Sequence, residues 1–151
     1  MRDNTENILN HSKRDIEVFK SELTSLCSNQ FFVNIYEVFI VFIKRLNLSW
    51  LVNVSDATVV ALAEGCKNLD ALNLTGCEFV TGEGVRTLTK HGSLKELILT
   101  SCEKVSGYDL EELVLGCQTL EYIGVDRRLR MWVPMEVQDN IMREHCWIDW
   151  K

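Results

Sequence analysis

The chain has a single proline, Pro134, and no Gly/Ser-rich or other low-complexity tract in its 151 residues. These absences argue against wholesale disorder, and the 46% hydrophobic content is enough for one domain with a sizeable core. A basic excess is missing as well: 16 Lys and Arg stand against 22 Asp and Glu, for a net charge of −6. Phosphate binding depends on clustered cations, so no nucleic-acid partner is expected. Long apolar runs are also absent. The most apolar stretch, residues 31–43, is interrupted by Asn34 and Glu37 and falls short of the roughly 18–20 residues that span a bilayer. Its length suits a buried helix, and no membrane partner is expected. Met1-Arg2-Asp3-Asn4 is polar and begins no secretory signal. The expectation is a soluble protein of the cytoplasm or nucleus, with its six cysteines reduced and the sequons at Asn10, Asn47, Asn53 and Asn73 silent.

What is present is an internal alignment. Leu46-Asn47-Leu48-Ser49, Leu72-Asn73-Leu74-Thr75 and Leu97-Ile98-Leu99-Thr100 superpose, with Ile123-Gly124-Val125-Asp126 as a weaker fourth. Their first residues are separated by 26, 25 and 26 positions, and three residues upstream stand Ile43, Leu69, Leu94 and Leu120. This is the L-x-x-L-x-L pattern of a leucine-rich repeat, whose period runs roughly 20–29 residues. The remainder keeps step. Val54, Val80 and Val105 precede the hydroxyl residues Ser55, Thr81 and Ser106, which suit helix N-caps. Val59 and Leu62, Val85 and Leu88, and Leu110 and Leu113 then mark one buried helix face at i and i+3. Gly65 and Gly116 are expected to close two of the helices with positive φ. Each unit reads as strand, turn, helix and return, and it buries its apolar side only by stacking on neighbours.

The cysteines fall into register with this pattern. Cys77 and Cys102 share a place that Leu51 fills in the first unit, as expected of a buried apolar niche. Cys66 and Cys117 share another, occupied elsewhere by Ile40 and His91. Neither C-x-x-C nor H-x-x-x-H spacing occurs, so no metal is expected. His91 is expected to be a solvated loop residue, with a partner contact as the alternative. His145-Cys146 resembles a nucleophile and base only in name, because adjacent residues seldom meet in those roles. No phosphate loop, G-x-S-x-G elbow or carboxylate pair stands out, and neither catalysis nor a cofactor is expected.

The run from Leu46 to Val125 resembles the cysteine-containing leucine-rich repeats of F-box proteins and of the related Amn-type proteins. The likeness rests on Leu46-Asn47-Leu48-Ser49-Trp50, Cys66-Lys67-Asn68-Leu69 and Leu72-Asn73-Leu74-Thr75-Gly76-Cys77. It continues through Ser101-Cys102-Glu103-Lys104-Val105-Ser106 and Gly116-Cys117-Gln118-Thr119-Leu120. It implies an α/β solenoid, a short right-handed horseshoe with a parallel sheet on its concave face. It also implies a non-catalytic adaptor that holds a protein substrate for a Skp-cullin-F-box ubiquitin ligase. The N-terminal segment lacks the Leu-Pro start and Trp-containing helix of an F-box. A Skp-type adaptor and cullin are therefore expected only if an F-box lies outside the recognisable sequence. The alternative is a stand-alone scaffold or inhibitor, such as an Amn-type cell-cycle regulator.

The expected organisation is a helical lid over residues 1–29, a solenoid over 30–126 and a cap over 127–151. In the lid, Ser12 caps a helix with Ile16, Phe19, Leu23 and Leu26 on one stripe, and residues 30–41 read as the helix of a degenerate unit. In the cap, Pro134 begins a helix carrying Val137 and Ile141, and Trp147, Ile148 and Trp150 seal the last unit or form a partner-binding tail. Strand alternation turns Asn47, Ser49, Asn73, Thr75, Glu96, Ile98, Thr100, Tyr122, Gly124 and Asp126 to the concave side as a protein-binding surface. Tyr122 and Ile98 are its apolar anchors. Arg127, Arg128 and Arg130 are the one dense basic cluster, either a solvated face or a secondary contact for an acidic or phosphorylated peptide.

Overall fold

The computed structural model of the chain describes residues 43–143 and 146–151. The lid expected over 1–29, the helix expected over 30–41, Cys27 and His145 lie outside the described residues. Strands β1 (Arg45–Asn47), β2 (Ala71–Asn73), β3 (Glu96–Ile98) and β4 (Tyr122–Val125) alternate with helices α1 (Asp56–Gly65), α2 (Gly82–Thr87) and α3 (Gly107–Gly116). Two further helices, α4 (Leu129–Trp132) and α5 (Met135–Arg143), lead to β5 (Trp147–Trp150). All five strands pair in parallel, in sequence order, so the fold is α/β. Among the described residues no helix is long and apolar enough to cross a membrane.

The register follows from the leucines. Leu46 pairs with Leu72, Leu72 with Leu97, Leu97 with Ile123, and Ile123 with Ile148. The first four of these central residues are at most 5% exposed, and Leu48, Leu74, Leu99 and Val125, two positions on, are at most 2% exposed. A strand alternates its side chains, so the two leucines of each segment share one face and enter one core. Leu69, Leu94 and Leu120 complete that core from the approach to each strand and are fully buried. Each such side chain contributes about 1.5–3 kcal/mol of burial.

The turns that leave the strands correct one expectation. Gly65 and Gly116 do not adopt positive φ; they are the last residues of α1 and α3, and the caps that follow, Cys66 and Cys117, have φ of −90° and −94°. Positive φ instead falls at Trp50 (63°), Gly76 (69°) and Ser101 (59°), each two residues after the second leucine of its segment. That conformation reverses the chain at the end of the strand, and only at Gly76 does it come without steric cost. Gly76 is also small for a packing reason, since a Cβ there would run into the Trp50 ring. Gly116 answers to space: a Cβ would stand 2.7 Å from the Cβ of Thr89.

The helices begin where the hydroxyl residues predict. Ser55, Thr81 and Ser106 are the N-caps. The Thr81 hydroxyl accepts from the Glu83 amide at 3.2 Å, and Ser106 forms a reciprocal box with Asp109. Val59, Leu62, Val85, Leu88, Leu110 and Leu113 are all buried. The shorter unit loses its residue in the helix: α2 ends at Thr87 and Leu88–Lys90 continue as a 3-10 turn. The 3-10 rise is steeper, so six α and three 3-10 residues advance roughly 15 Å, as ten α residues do. Carboxylates tie the helix starts together. Asp56 accepts from the Thr81 amide and hydroxyl, both at 2.7 Å, and Asp109 pairs with Arg86. A Cβ on Gly84 would strike Asp56, and one on Gly82 would strike Asp109.

One further expectation is overturned. His91 is not a solvated loop residue; it is 6% exposed, and its Nε2 lies 3.0 Å from the Cys66 carbonyl. Its Nδ1 accepts from the Leu94 amide at 3.1 Å and the Ser93 amide at 3.4 Å, so the Nε2–H tautomer satisfies every bond. It occupies the place of Cys66 and Cys117 but closes its turn with a ring. At the other end, Pro134 does precede a helix whose Val137 and Ile141 are buried. The tail beyond it is a fifth strand paired with β4, in which Ile148 and Trp150 are half-buried and Trp147 is 71% exposed. His91→Ala strands a buried carbonyl and amide. It is expected to lower the unfolding free energy by about 2–3 kcal/mol, while exposed Lys90→Ala changes it by less than about 0.5 kcal/mol, as denaturant midpoints would show.

Candidate protein-binding face

Every second residue of the strands faces away from the leucines, and parallel pairing lines these residues up in rows. Arg45, Ala71, Glu96, Tyr122 and Trp147 form one row; Asn47, Asn73, Ile98, Gly124 and Asp149 form the next. Beyond the strand ends the ladder persists, with Trp50 N–H donating to the Thr75 carbonyl at 2.7 Å and Gly76 N–H to that of Thr100 at 2.9 Å. Ser49, Thr75 and Thr100 thereby make a third row, and Asp126 lies beside Lys151 through the Arg127 N–H bond to the Lys151 carbonyl at 2.6 Å. The structure thus brings Asn47, Ser49, Asn73, Thr75, Glu96, Ile98, Thr100, Tyr122 and Asp126 onto one surface. Asn47 is exposed and the other eight are half-buried.

Part of this polar set is committed within the face. Asn47 Oδ1 accepts from the Ser49 amide at 3.0 Å; Asn73 Oδ1 accepts from the Thr75 amide at 2.9 Å and hydroxyl at 2.7 Å. These bonds fix the asparagine side chains and leave their amide NH2 groups as donors. Arg45 reaches across β2 to Glu96 at 2.6 Å. The Tyr122 hydroxyl donates to Asp149 at 2.7 Å, and Lys151 Nζ lies 5.7 Å from the ring centroid. Burial, and then the Asp149 bond, push the Tyr122 hydroxyl above its ordinary pKa. The Arg128 amide, at 2.9 Å, lowers the pKa of the Asp126 carboxyl, and the Arg128 guanidinium adds to this. Thr100 Oγ1 is buried with no hydrogen-bond partner among the described residues. A shallow depression lies where Arg45, Glu96 and Tyr122 meet Asp70, Lys95 and Glu121.

Sequence reasoning missed Arg45, Trp147, Asp149 and Lys151 as members of this face. Ile148 stands 25 residues after Ile123, which is the signal that could have found β5. It was hidden because His145 and Trp150 replace the flanking leucines of the pattern. Arg127, Arg128 and Arg130 are all exposed, and only Arg128 joins the face, through Asp126 at 3.3 Å.

The thiols are buried beneath the sheet rather than presented on it. Cys66, Cys77, Cys102, Cys117 and Cys146 are free and at most 7% exposed. Cys77 Sγ donates to the Leu48 carbonyl at 3.3 Å and Cys102 Sγ to that of Leu74 at 3.1 Å, so each thiol satisfies a carbonyl of the preceding segment. Among the described residues no group of three His, Cys, Asp or Glu side chains could hold a metal ion. No protein-family model matches the chain.

Burial raises the thiols from an ordinary 9.0 to about 11 at Cys66 and Cys102 and about 12 at Cys146. The folded thiols hold protons that the unfolded chain has begun to release, so stability falls as pH rises through this window. Urea midpoints are expected to be level below pH 9.0 and to drop progressively toward pH 11. A thiol reagent at neutral pH is expected to modify these five cysteines at the rate of unfolding.

Proposed function

We propose that the chain is a leucine-rich-repeat solenoid of the cysteine-containing kind that binds another protein on its open sheet face and performs no catalysis. The repeat reading is supported by the agreement between the spacing in the sequence and the pairing of the strands. The sequence segments recur every 25 or 26 residues, and the same residues are partners in the strand register. The observation that carries the binding reading is the set of in-register rows. Asn47, Asn73 and Thr75 offer polar groups around Ile98 and Tyr122, two apolar side chains on a surface that no described helix covers. Half-buried side chains held by their neighbours lose little freedom on binding, which favours affinity. By its resemblance, the module corresponds to the substrate-recognition part of a Skp-cullin-F-box receptor.

Affinity capture from cells with the tagged chain, beside an Ile98→Asp, Tyr122→Ala variant, tests the reading. One protein is expected to co-purify with the parent chain and to fall at least about tenfold with the variant, as loss of a central hot spot does. Circular dichroism should stay unchanged. A Skp-type adaptor and cullin in the eluate would support the ligase receptor; a stable target without them would support the stand-alone scaffold. Equal capture by both chains would contradict binding through this face.

A further inference from the structure

Three of the most exposed apolar side chains project from one turn: Met131 and Trp132 at 81% and Met135 at 74%. Their neighbours hold them outward. Val133, between them, is 4% exposed and packs 2.5 Å from where a Cβ on Gly107 would stand. Gln138 Nε2 donates to the carbonyls of Arg130 at 3.1 Å and Val133 at 2.9 Å, clamping α4 against the start of α5. Val137 and Ile141 anchor α5 in the core. The turn therefore has no slack with which to fold Met131, Trp132 and Met135 inward, and it forms a fixed apolar knob.

The arginines lie on the same turn. Arg127, Arg128 and Arg130 immediately precede the knob and are exposed. Arg128 is shared with Asp126, whereas Arg127 and Arg130 have no ion-pair partner among the described residues. The acidic side chains of the segment, Glu136 and Asp139, fall beyond the knob on α5, so charge is polarised along it with the cations grouped on the approach. The whole chain carries −6, so this grouping of cations stands against the overall charge.

We propose that this knob docks on a phospholipid surface bearing anionic headgroups. The chemistry matches the layers of such a surface. Trp132 is a wide ring with one polar N–H, suited to the headgroup level, and the flexible Met131 and Met135 reach the acyl boundary beside it. Arg127 and Arg130 offer planar forks that bind phosphate through paired hydrogen bonds while their stems follow the apolar side chains down. Peripheral docking of this kind needs no spanning helix. It is independent of the sheet-face reading.

Sedimentation of the full chain with vesicles tests the proposal. Phosphatidylcholine vesicles, with and without phosphatidylserine, are compared, and poly-L-glutamate serves as a soluble acidic polypeptide. Binding to the phosphatidylserine vesicles is expected, weakened by added salt and several-fold lower on phosphatidylcholine alone. Trp132→Ala with Met135→Ala, and separately Arg127→Gln with Arg130→Gln, should each reduce the bound fraction roughly tenfold. Their circular dichroism and thermal midpoints should not move, because these side chains are exposed. Trp132→Phe should retain most of the binding. Absence of vesicle binding, or binding that neither variant alters, would overturn the proposal. Arginine-dependent binding to poly-L-glutamate without vesicle binding would assign the knob to an acidic polypeptide and equally overturn it.

Discussion

Strands of three or four residues make too few hydrogen bonds to form a sheet by themselves, and β1 to β4 are held side by side by the aliphatic side chains they share. Each segment contributes two of these, such as Leu72 and Leu74, and the parallel register sets every pair against the next. A slip of one residue would turn the whole row toward solvent, so the leucines fix the register as well as the stability. The rest follows from that constraint. The turn must reverse at Trp50, Gly76 and Ser101, and the helix must span the return, whether as ten α residues or as six with a 3-10 turn.

Polar groups are settled at the places where that core meets backbone. Cys77 and Cys102 give their S–H to carbonyls of the preceding segment, and the His91 ring does the same at a helix exit. These contacts explain why small or compact polar side chains recur there. On the helix side, Asp56 and Asp109 bind the neighbouring unit, through Thr81 and Arg86 respectively, and the glycines at 82 and 84 leave room for them. The opposite face of the sheet carries its asparagine bonds and the Arg45–Glu96, Tyr122–Asp149, Arg128–Asp126 and Lys151–Tyr122 contacts. It is the surface to which the proposed function assigns a partner.

Much of this was legible in the chain itself, because periodicity reports burial directly. The strand positions, the three N-caps and the inner helix residues all follow from spacing and residue type. The failures have physical causes. Glycine at a helix end reads as a positive-φ cap, yet Gly116 is required by the approach of Thr89. A histidine in a polar loop reads as solvated, and only coordinates reveal the Cys66 carbonyl 3.0 Å away. Strand β5 escaped because its neighbours in the chain are tryptophan and histidine where leucine was sought. The same strand adds Trp147 and Asp149 to the candidate face, with Lys151 just beyond it, so an unrecognised element cost the site as well as the fold.

Backbone nuclear Overhauser contacts measured on the isotope-labelled chain test the central claim most directly. The account predicts cross-strand contacts between the backbone around residue 46 and residue 72, 72 and 97, 97 and 123, and 123 and 148, in the pattern of parallel pairing. Antiparallel contacts, helical shifts at these positions, or a register displaced by one residue would contradict it.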